Sequence, residues 1–228
     1  MRRFAVGDIH GQGDAFESVL WQVDFNDDVD QLVVLGDIYD YGTQTCQVID
    51  RILKIKNRVV IRGNHDEVFR HWALTGNHMY NWSHGGSGTL ASYSQYLEMD
   101  FDFTYNMMHR IHVPQKHINF LNAMKDYYIT EDNIMFCHAG FDTDYSLEDQ
   151  VSDEFYQNRS LFKQAKKGIA PRHDFKTVFI GHTITEDCEP FISDEVINLD
   201  TGAKSPKRPL TLMNIDTLTY VQSYLKNF

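Results

Sequence analysis

Short apolar runs alternate with amphipathic stretches through the first third of the chain. Arg3–Val6, Leu32–Leu35 and Val59–Ile61 are apolar without the in-out alternation of a half-exposed strand, which predicts strands buried on both faces. Between them, Asp14–Gln22 places Phe16, Val19 and Leu20 on one helical face. A stretch from about Thr43 to Ile55 does the same with Val48, Ile49, Ile52, Leu53 and Ile55. Strand, helix, strand, helix, strand indicates βαβ units. The stretch from Trp72 to Lys125 reads as mostly helical, broken at Gly76, Gly85-Gly86 and Pro114. The last third changes character: Ile134–Cys137, Val178–Ile180, Val196–Leu199, Leu210–Met213 and Leu218–Tyr224 predict short strands, the last two joined by a hairpin at Asp216-Thr217. Lys163–Asp174 reads as a mobile loop or linker. The expectation is an α/β fold over residues 1–228 as a single domain: a two-sheet β-sandwich flanked by helices, with βαβ units first and a β-rich C-terminal half.

Polar residues with chemistry fall just past the ends of these strands. Asp8 and His10 follow the first, Asp37 and Asp40 the second, and Arg62, Asn64, His65 and Asp66 the third. His138 follows Ile134–Cys137, and His182 follows Val178–Ile180. In open α/β sheets, functional groups collect beyond the carboxyl ends of strands. If these ends face one cleft, it holds carboxylate, imidazole and amide donors suited to a pair of divalent ions, with Asp37 the candidate to bridge them. Burial explains Cys137 better than redox chemistry does, and the remaining histidines carry no motif.

The formal net charge of -11 argues against a general nucleic-acid binder or a protein drawn to anionic membranes. It leaves room for a phosphorylated protein or small phosphoester held in a local basic pocket. The acidic segments Asp24–Asp30 and Asp142–Glu154 read as solvated loops. Cys46, Cys137 and Cys188 are few and far apart, so a reducing, cytoplasmic setting is expected. No run is long enough to be a signal peptide or to span a bilayer.

GDIHG from Gly7, GDIYDYG from Gly36, RGNHD from Arg62, HAG from His138 and GHT from Gly181, in that order, resemble the calcineurin-like metallophosphoesterases. More closely, they resemble the phosphoprotein phosphatase family of serine/threonine phosphatases, in its small bacterial and bacteriophage branch of the lambda-phosphatase type. Asn81-Trp82 with Gly85-Gly86, Asn158-Arg159 and Asp200-Thr201-Gly202 add to the likeness. The resemblance implies a first metal on Asp8, His10 and Asp37 and a second on Asp37, Asn64, His138 and His182. It implies manganese first, with iron, zinc, nickel or cobalt as substitutes. A hydroxide bridging the ions attacks phosphorus, His65 is the general acid with Asp40 orienting it, and Arg62 and Arg159 clamp phosphate oxygens.

Two positions depart from that pattern. Tyr41 stands where the family's second motif carries a phosphate-binding arginine. A tyrosine donates one hydrogen bond but brings no charge, so phosphomonoester binding is expected to be weaker and diesters less penalised. Asp66 stands where the protein phosphatases carry Glu, and the diadenosine tetraphosphate hydrolases of the same superfamily resemble this chain at both positions. A serine/threonine-type phosphatase is the expected activity, with a diadenosine polyphosphate or other nucleotide hydrolase, or a phosphodiesterase, as the alternative. A catalytically weak protein that binds phosphorylated partners is the third reading.

Overall fold

The computed structural model describes residues 1–77, 85–100 and 111–224. Two five-stranded sheets lie face to face within it. The first sheet is built on β1 (Arg3–Val6), β2 (Gln31–Val34) and β3 (Asn57–Val60), all parallel. In the second, β4 (Tyr127–Ile129) lies antiparallel to β5 (Ile134–Cys137), which runs parallel to β6 (Thr177–Ile180). β7 (Phe191–Ile192) closes the far edge, antiparallel to β8 (Val196–Asn198), which is parallel to β6. β9 (Leu210–Asn214) and β10 (Tyr220–Ser223) return to the first sheet as the antiparallel hairpin expected at Asp216-Thr217.

The apolar runs lack a polar face because each strand is covered on both sides. Successive side chains point to opposite faces. Ala5, Val33 and Leu35 therefore point inward and meet Phe136, Phe179 and Ile197 of the second sheet. Phe4, Val6, Leu32 and Val34 point outward to a helical layer. That layer is α1 (Gly13–Gln22), α2 (Thr45–Lys54), α3 (Asn64–Thr75), α4 (Gly86–Tyr96) and α5 (Gln115–Ala123). On the far face of the second sheet, Met135, Cys137, Val178 and Ile180 pack against α6 (Ser152–Gln157) and α7 (Ser160–Lys166). The result is four layers, helix–sheet–sheet–helix. Among the described residues no helix is long and apolar enough to cross a membrane.

Several segments differ from the expectation. The acidic stretch before Glu154 contains a turn of 3-10 helix, Leu147–Asp149, and runs into α6. Its charges face solvent, but Phe155 and Tyr156 are buried against the second sheet. The presumed linker begins inside α7, where Leu161 and Phe162 are buried. Its far end packs His173 against Phe141 and Phe175. Each of these helices is too short to show a period in sequence and is held by the sheet beneath it. The strands β4 and β7 were not expected, being only three and two residues long. Asn81, Trp82, His84 and Tyr105–Met108 lie outside the described residues.

Phe136 and Phe179 stack at the centre of the inter-sheet layer, with ring centroids 5.1 Å apart. Truncating Phe136→Ala is expected to destabilise the fold by about 3–5 kcal/mol, read as a lower midpoint in urea unfolding.

Candidate metal centre and active-site cleft

The six parallel strands deliver their next residues to one place: Asp8 after β1, Asp37 after β2, Asn64 after β3, His138 after β5, His182 after β6 and Asp200 after β8. A chain of contacts joins all of them but Asp200. Asp37 Oδ2 lies 3.8 Å from His10 Nε2 and 3.4 Å from His138 Nε2. The Asn64 side-chain oxygen lies 3.2 Å from His138 Nε2 and 2.9 Å from His182 Nδ1. The His182 backbone N–H donates to both oxygens of Asp8, at 3.2 and 3.1 Å.

The backbone is bent hard to bring these groups together. Of the ten non-glycine residues with positive φ among those described, five belong here: His10, Asp37, Asp40, Tyr41 and His182. Each such conformation costs about 1–3 kcal/mol and persists only where the surroundings over-determine it. Glycine provides the close approaches. A Cβ on Gly63 would collide with the Asp37 carboxylate and backbone N, and one on Gly181 would collide with Asp8 Oδ1.

Asp66 fixes the loop after β2. Its Oδ2 accepts the N–H groups of Asp37, at 2.9 Å, and of Gly63, at 2.7 Å; its Oδ1 accepts that of Ile38, at 2.9 Å. The residue that departs from the protein-phosphatase pattern is thus a fully buried clamp on two strand-end loops. The imidazoles are oriented in the same manner. His10 Nδ1–H donates to the Tyr39 carbonyl at 2.8 Å and His138 Nδ1–H to the Leu35 carbonyl at 2.7 Å, which turns each Nε2 toward Asp37.

Asp8, Asp37, Asp40, Asp66 and Asp200 are all at most 3% exposed. Among the described residues none of them pairs with a lysine or arginine. Buried carboxylates need a partner or a metal ion. Without an ion, the cluster redistributes protons. Burial raises Asp8 well above the usual carboxylate range, with Asp200 and Asp37 adding repulsion and His138 opposing. Burial also acts to raise Asp37, but His138, His65 and His10 together hold it well below that range. Burial alone lowers an imidazole; His138 is nonetheless pushed up to about 10 by Asp37 and Asp8. His10 and His182, with weaker compensation for burial, fall to about 3. Burial and neighbouring Asp37 push Asp66 up to about 6. Burial raises Asp200 to about 6 as well.

These residues fit divalent cations. His10, Asp37 and His65 offer ligand atoms within 4.8 Å of one another, as do Asp37, His138 and His182, and Asp37 is common to both groups. His182 turns Nδ1 to the Asn64 side-chain oxygen, and its Nε2 is buried with no hydrogen-bond partner. His65, a member of the first group, is also tied to Asp40: its Nδ1 lies 2.6 Å from Asp40 Oδ2, while Asp40 is held by Thr89 through its backbone N–H at 2.8 Å and its Oδ1 at 3.1 Å.

The three residues expected to hold phosphate differ in placement. Arg159 reaches over the His182 loop, with Nη1 3.0 Å from Thr183 Oγ1. Tyr41 sets its ring edge-on to His10, centroids 5.0 Å apart, and 5.6 Å from His65. The Arg62 guanidinium turns to Asp126 at 3.3 Å, to the Met124 carbonyl at 3.2 Å and toward Glu67 at 3.6 Å. Sequence reasoning assigned no role to Asp200, Thr89 or Lys204. Asp200 follows a parallel strand as the other acids do, and that position was the available signal. Thr89 and Lys204 lie three and two residues past Gly85-Gly86 and Asp200-Thr201-Gly202, at positions to which those motifs assign no role.

The chain matches the family model described as calcineurin-like phosphoesterase over residues 1–198. A symmetrical bis(5'-nucleosyl)-tetraphosphatase of Acidovorax sp. strain JS42 is 39% identical over 67 residues, 29% of this chain and 24% of that protein. The match thus spans about a quarter of the length of the curated relatives. Among solved structures, one designated a candidate diadenosine tetraphosphatase superposes with a TM-score of 0.67 at 18% identity, covering 100% of this chain and 95% of that one. A serine/threonine phosphatase of Saccharomyces cerevisiae superposes with a TM-score of 0.59 at 12% identity, covering 100% of this chain and 80% of that one. At such identities the structural likeness establishes the fold.

Asp66→Asn replaces an acceptor of three N–H groups with one that must present its own N–H groups to some of them. The substitution is expected to weaken Mn2+ binding by about 10–100-fold, measured by calorimetric titration, and to lower the melting temperature of the metal-free protein.

Proposed function

The chain belongs to the calcineurin-like phosphoesterase family, and from that premise we propose that it is a dinuclear-metal hydrolase of nucleoside polyphosphates, splitting a symmetrical dinucleoside tetraphosphate into two nucleoside diphosphates. The observation that carries this reading over a phosphoprotein substrate is the similarity to curated symmetrical bis(5'-nucleosyl)-tetraphosphatases at 34–39% identity over 67 residues. Tyr41 and Asp66, the two departures from the protein-phosphatase pattern, point the same way.

In this reading Asp8, His10 and Asp37 hold one ion and Asp37, Asn64, His138 and His182 the other, with manganese the first choice. Bound there, two divalent ions supply positive charge to the transferring phosphoryl group and a nucleophile at neutral pH. The protein fixes where that charge sits, through the imidazole orientations and the Asp66 clamp. Arg159 extends from the Thr183 side toward the oxygens of the attacked phosphate, where a guanidinium fork suits them. His65 delivers a proton to the departing oxygen, and Asp40, buried and braced by Thr89, holds the ring by its Nδ1 so that Nε2 serves the cleft. Arg62 braces Asp126 and Glu67 behind this pair. A diphosphate leaving group needs that proton less than an alkoxide does, so the same residues hydrolyse an anhydride more readily than an alkyl phosphate.

With Mn2+ supplied, kcat/KM for diadenosine tetraphosphate is expected to exceed that for phosphoserine peptides by about tenfold or more. The reverse order would return the assignment to a serine/threonine-type phosphatase. His65→Asn should lower kcat on an alkyl phosphomonoester by about 100–10,000-fold and on diadenosine tetraphosphate by less.

The pH dependence offers a separate check. Burial depresses the His65 pKa, but Asp37 and the Asp40 hydrogen bond outweigh it, so the ring keeps its proton above its ordinary value. In the metal-free protein the ring loses its proton as pH rises through that raised value. Removing the Asp40 charge in Asp40→Asn lowers the pKa, so the His65 titration followed by NMR on the metal-free protein should move to lower pH.

A further inference from the structure

A second cavity opens beside the centre, of about 330 Å3, lined by Gln12, Asp14, Tyr41, Thr43, Gln44 and Lys204. That volume is at the lower end of small-molecule sites. Tyr41 belongs both to this cavity and to the cleft, because its ring contacts His10 and His65. Lys204 Nζ stands 5.6 Å from the Tyr41 ring centroid and is close enough to the cluster for its charge to bear on His10 and Asp200. Among the described residues it forms no ion pair. Its loop is nonetheless well fixed. The Ser205 N–H donates to the Gly202 carbonyl and that of Arg208 to the Ser205 carbonyl, both at 3.0 Å. The Arg208 side chain donates to the Thr201 and Thr185 carbonyls.

The lining brings three kinds of group together. Tyr41, against His10 and His65, is the side bordering the candidate metal centre, and Lys204, without an ion-pair partner among the described residues, stands over its ring. Asp14 and Gln44 also line the cavity and are joined to each other at 3.0 Å, Gln44 Nε2 to Asp14 Oδ1. A cation, an aromatic ring and a paired carboxylate–amide are the groups that suit a phosphate, a base and ribose hydroxyls. We propose that this cavity is the subsite for the nucleotide portion next to the attacked phosphorus, with Lys204 on its phosphate and Tyr41 beneath its base. Lys204 thereby restores, from another loop, the positive charge that position 41 lacks. The inference rests on the reading that the substrate carries a nucleoside, and it names the residues that select it.

The test uses ADP, pyrophosphate and inorganic phosphate as probes of the Mn2+-loaded protein. Their affinities are measured by calorimetry and by competition against p-nitrophenyl phosphate. In the wild type, ADP should bind about tenfold or more tightly than inorganic phosphate. Lys204→Ala should reduce that preference to about threefold or less, and Lys204→Arg should keep most of it. Lys207→Ala, on the same loop but outside the cavity lining, should leave it intact. Thr43→Trp, which fills the cavity from its exposed rim, should weaken ADP while pyrophosphate holds. If Lys204→Ala leaves the preference for ADP unchanged, or if Thr43→Trp weakens both probes equally, the subsite is wrong even where the wild type splits diadenosine tetraphosphate. If ADP binding depends on Lys204 but diadenosine tetraphosphate is not split, the subsite stands and the proposed activity falls.

Discussion

Five carboxylates are buried together at the ends of parallel strands, with no lysine or arginine to neutralise any of them among the described residues. Water no longer solvates them, and among the described residues histidine is the side chain that pairs with them. In the metal-free protein the proton inventory adjusts: His138 is held charged while Asp8, Asp66 and Asp200 move toward the neutral form. Divalent cations, which the family implies, would displace those protons and leave the acids charged. The same arrangement is therefore a liability to the empty fold and a binding site in the loaded one. This is why stability and metal affinity are expected to be tightly linked here.

The surrounding structure holds that cluster against its own repulsion. Two packed sheets fix the strand ends, and the inter-sheet layer of Ala5, Val33, Phe136, Phe179 and their neighbours fixes the sheets. Strained φ values at His10, Asp37, Asp40, Tyr41 and His182 are tolerated because hydrogen bonds over-determine each turn. Asp66 is the clearest case. It has no reach into the cleft, yet it ties the backbone of Asp37 and Ile38 to that of Gly63. An aspartate fills that place with all its accepting capacity turned to backbone N–H groups.

In the proposed reading, groups around the centre divide between chemistry and selection. His65 with Asp40 and Thr89 forms a buried relay whose geometry suits proton delivery. Arg159 is placed with donors to spare beside His182. Arg62 is held by Asp126, Glu67 and a carbonyl, which limits what it can offer an anion. Lys204, above the Tyr41 ring, is a further positive charge close to the centre. An acidic chain of net charge -11 can hold a polyphosphate only through such local concentrations of positive charge.

The central strands, the helices between them and the donor set at their ends were legible in the sequence. A four-residue apolar run without alternation, bounded by turn residues and amphipathic helices, reads as a doubly covered strand, and a Gly-Asp or Gly-His pair at its end is a local signal. β5 was read with its observed bounds, and β1 likewise. Less was legible where local pattern is short or absent. The helices α6 and α7 were read as acidic loop and linker, since each has barely two turns and is stabilised by the sheet it covers. That Asp66 clamps backbone, that Arg62 faces carboxylates and that Thr89 braces Asp40 depended on contacts between residues 28 to 64 positions apart. The sequence by itself determined which carboxylates and imidazoles sit at which strand ends, because burial pattern and residue chemistry are local properties. Only the tertiary structure decided that Lys204 stands over Tyr41, where the resemblance implies an arginine. That pairing joins residues 163 positions apart through loops no periodic signal describes, so it exists only once the two sheets have closed on each other.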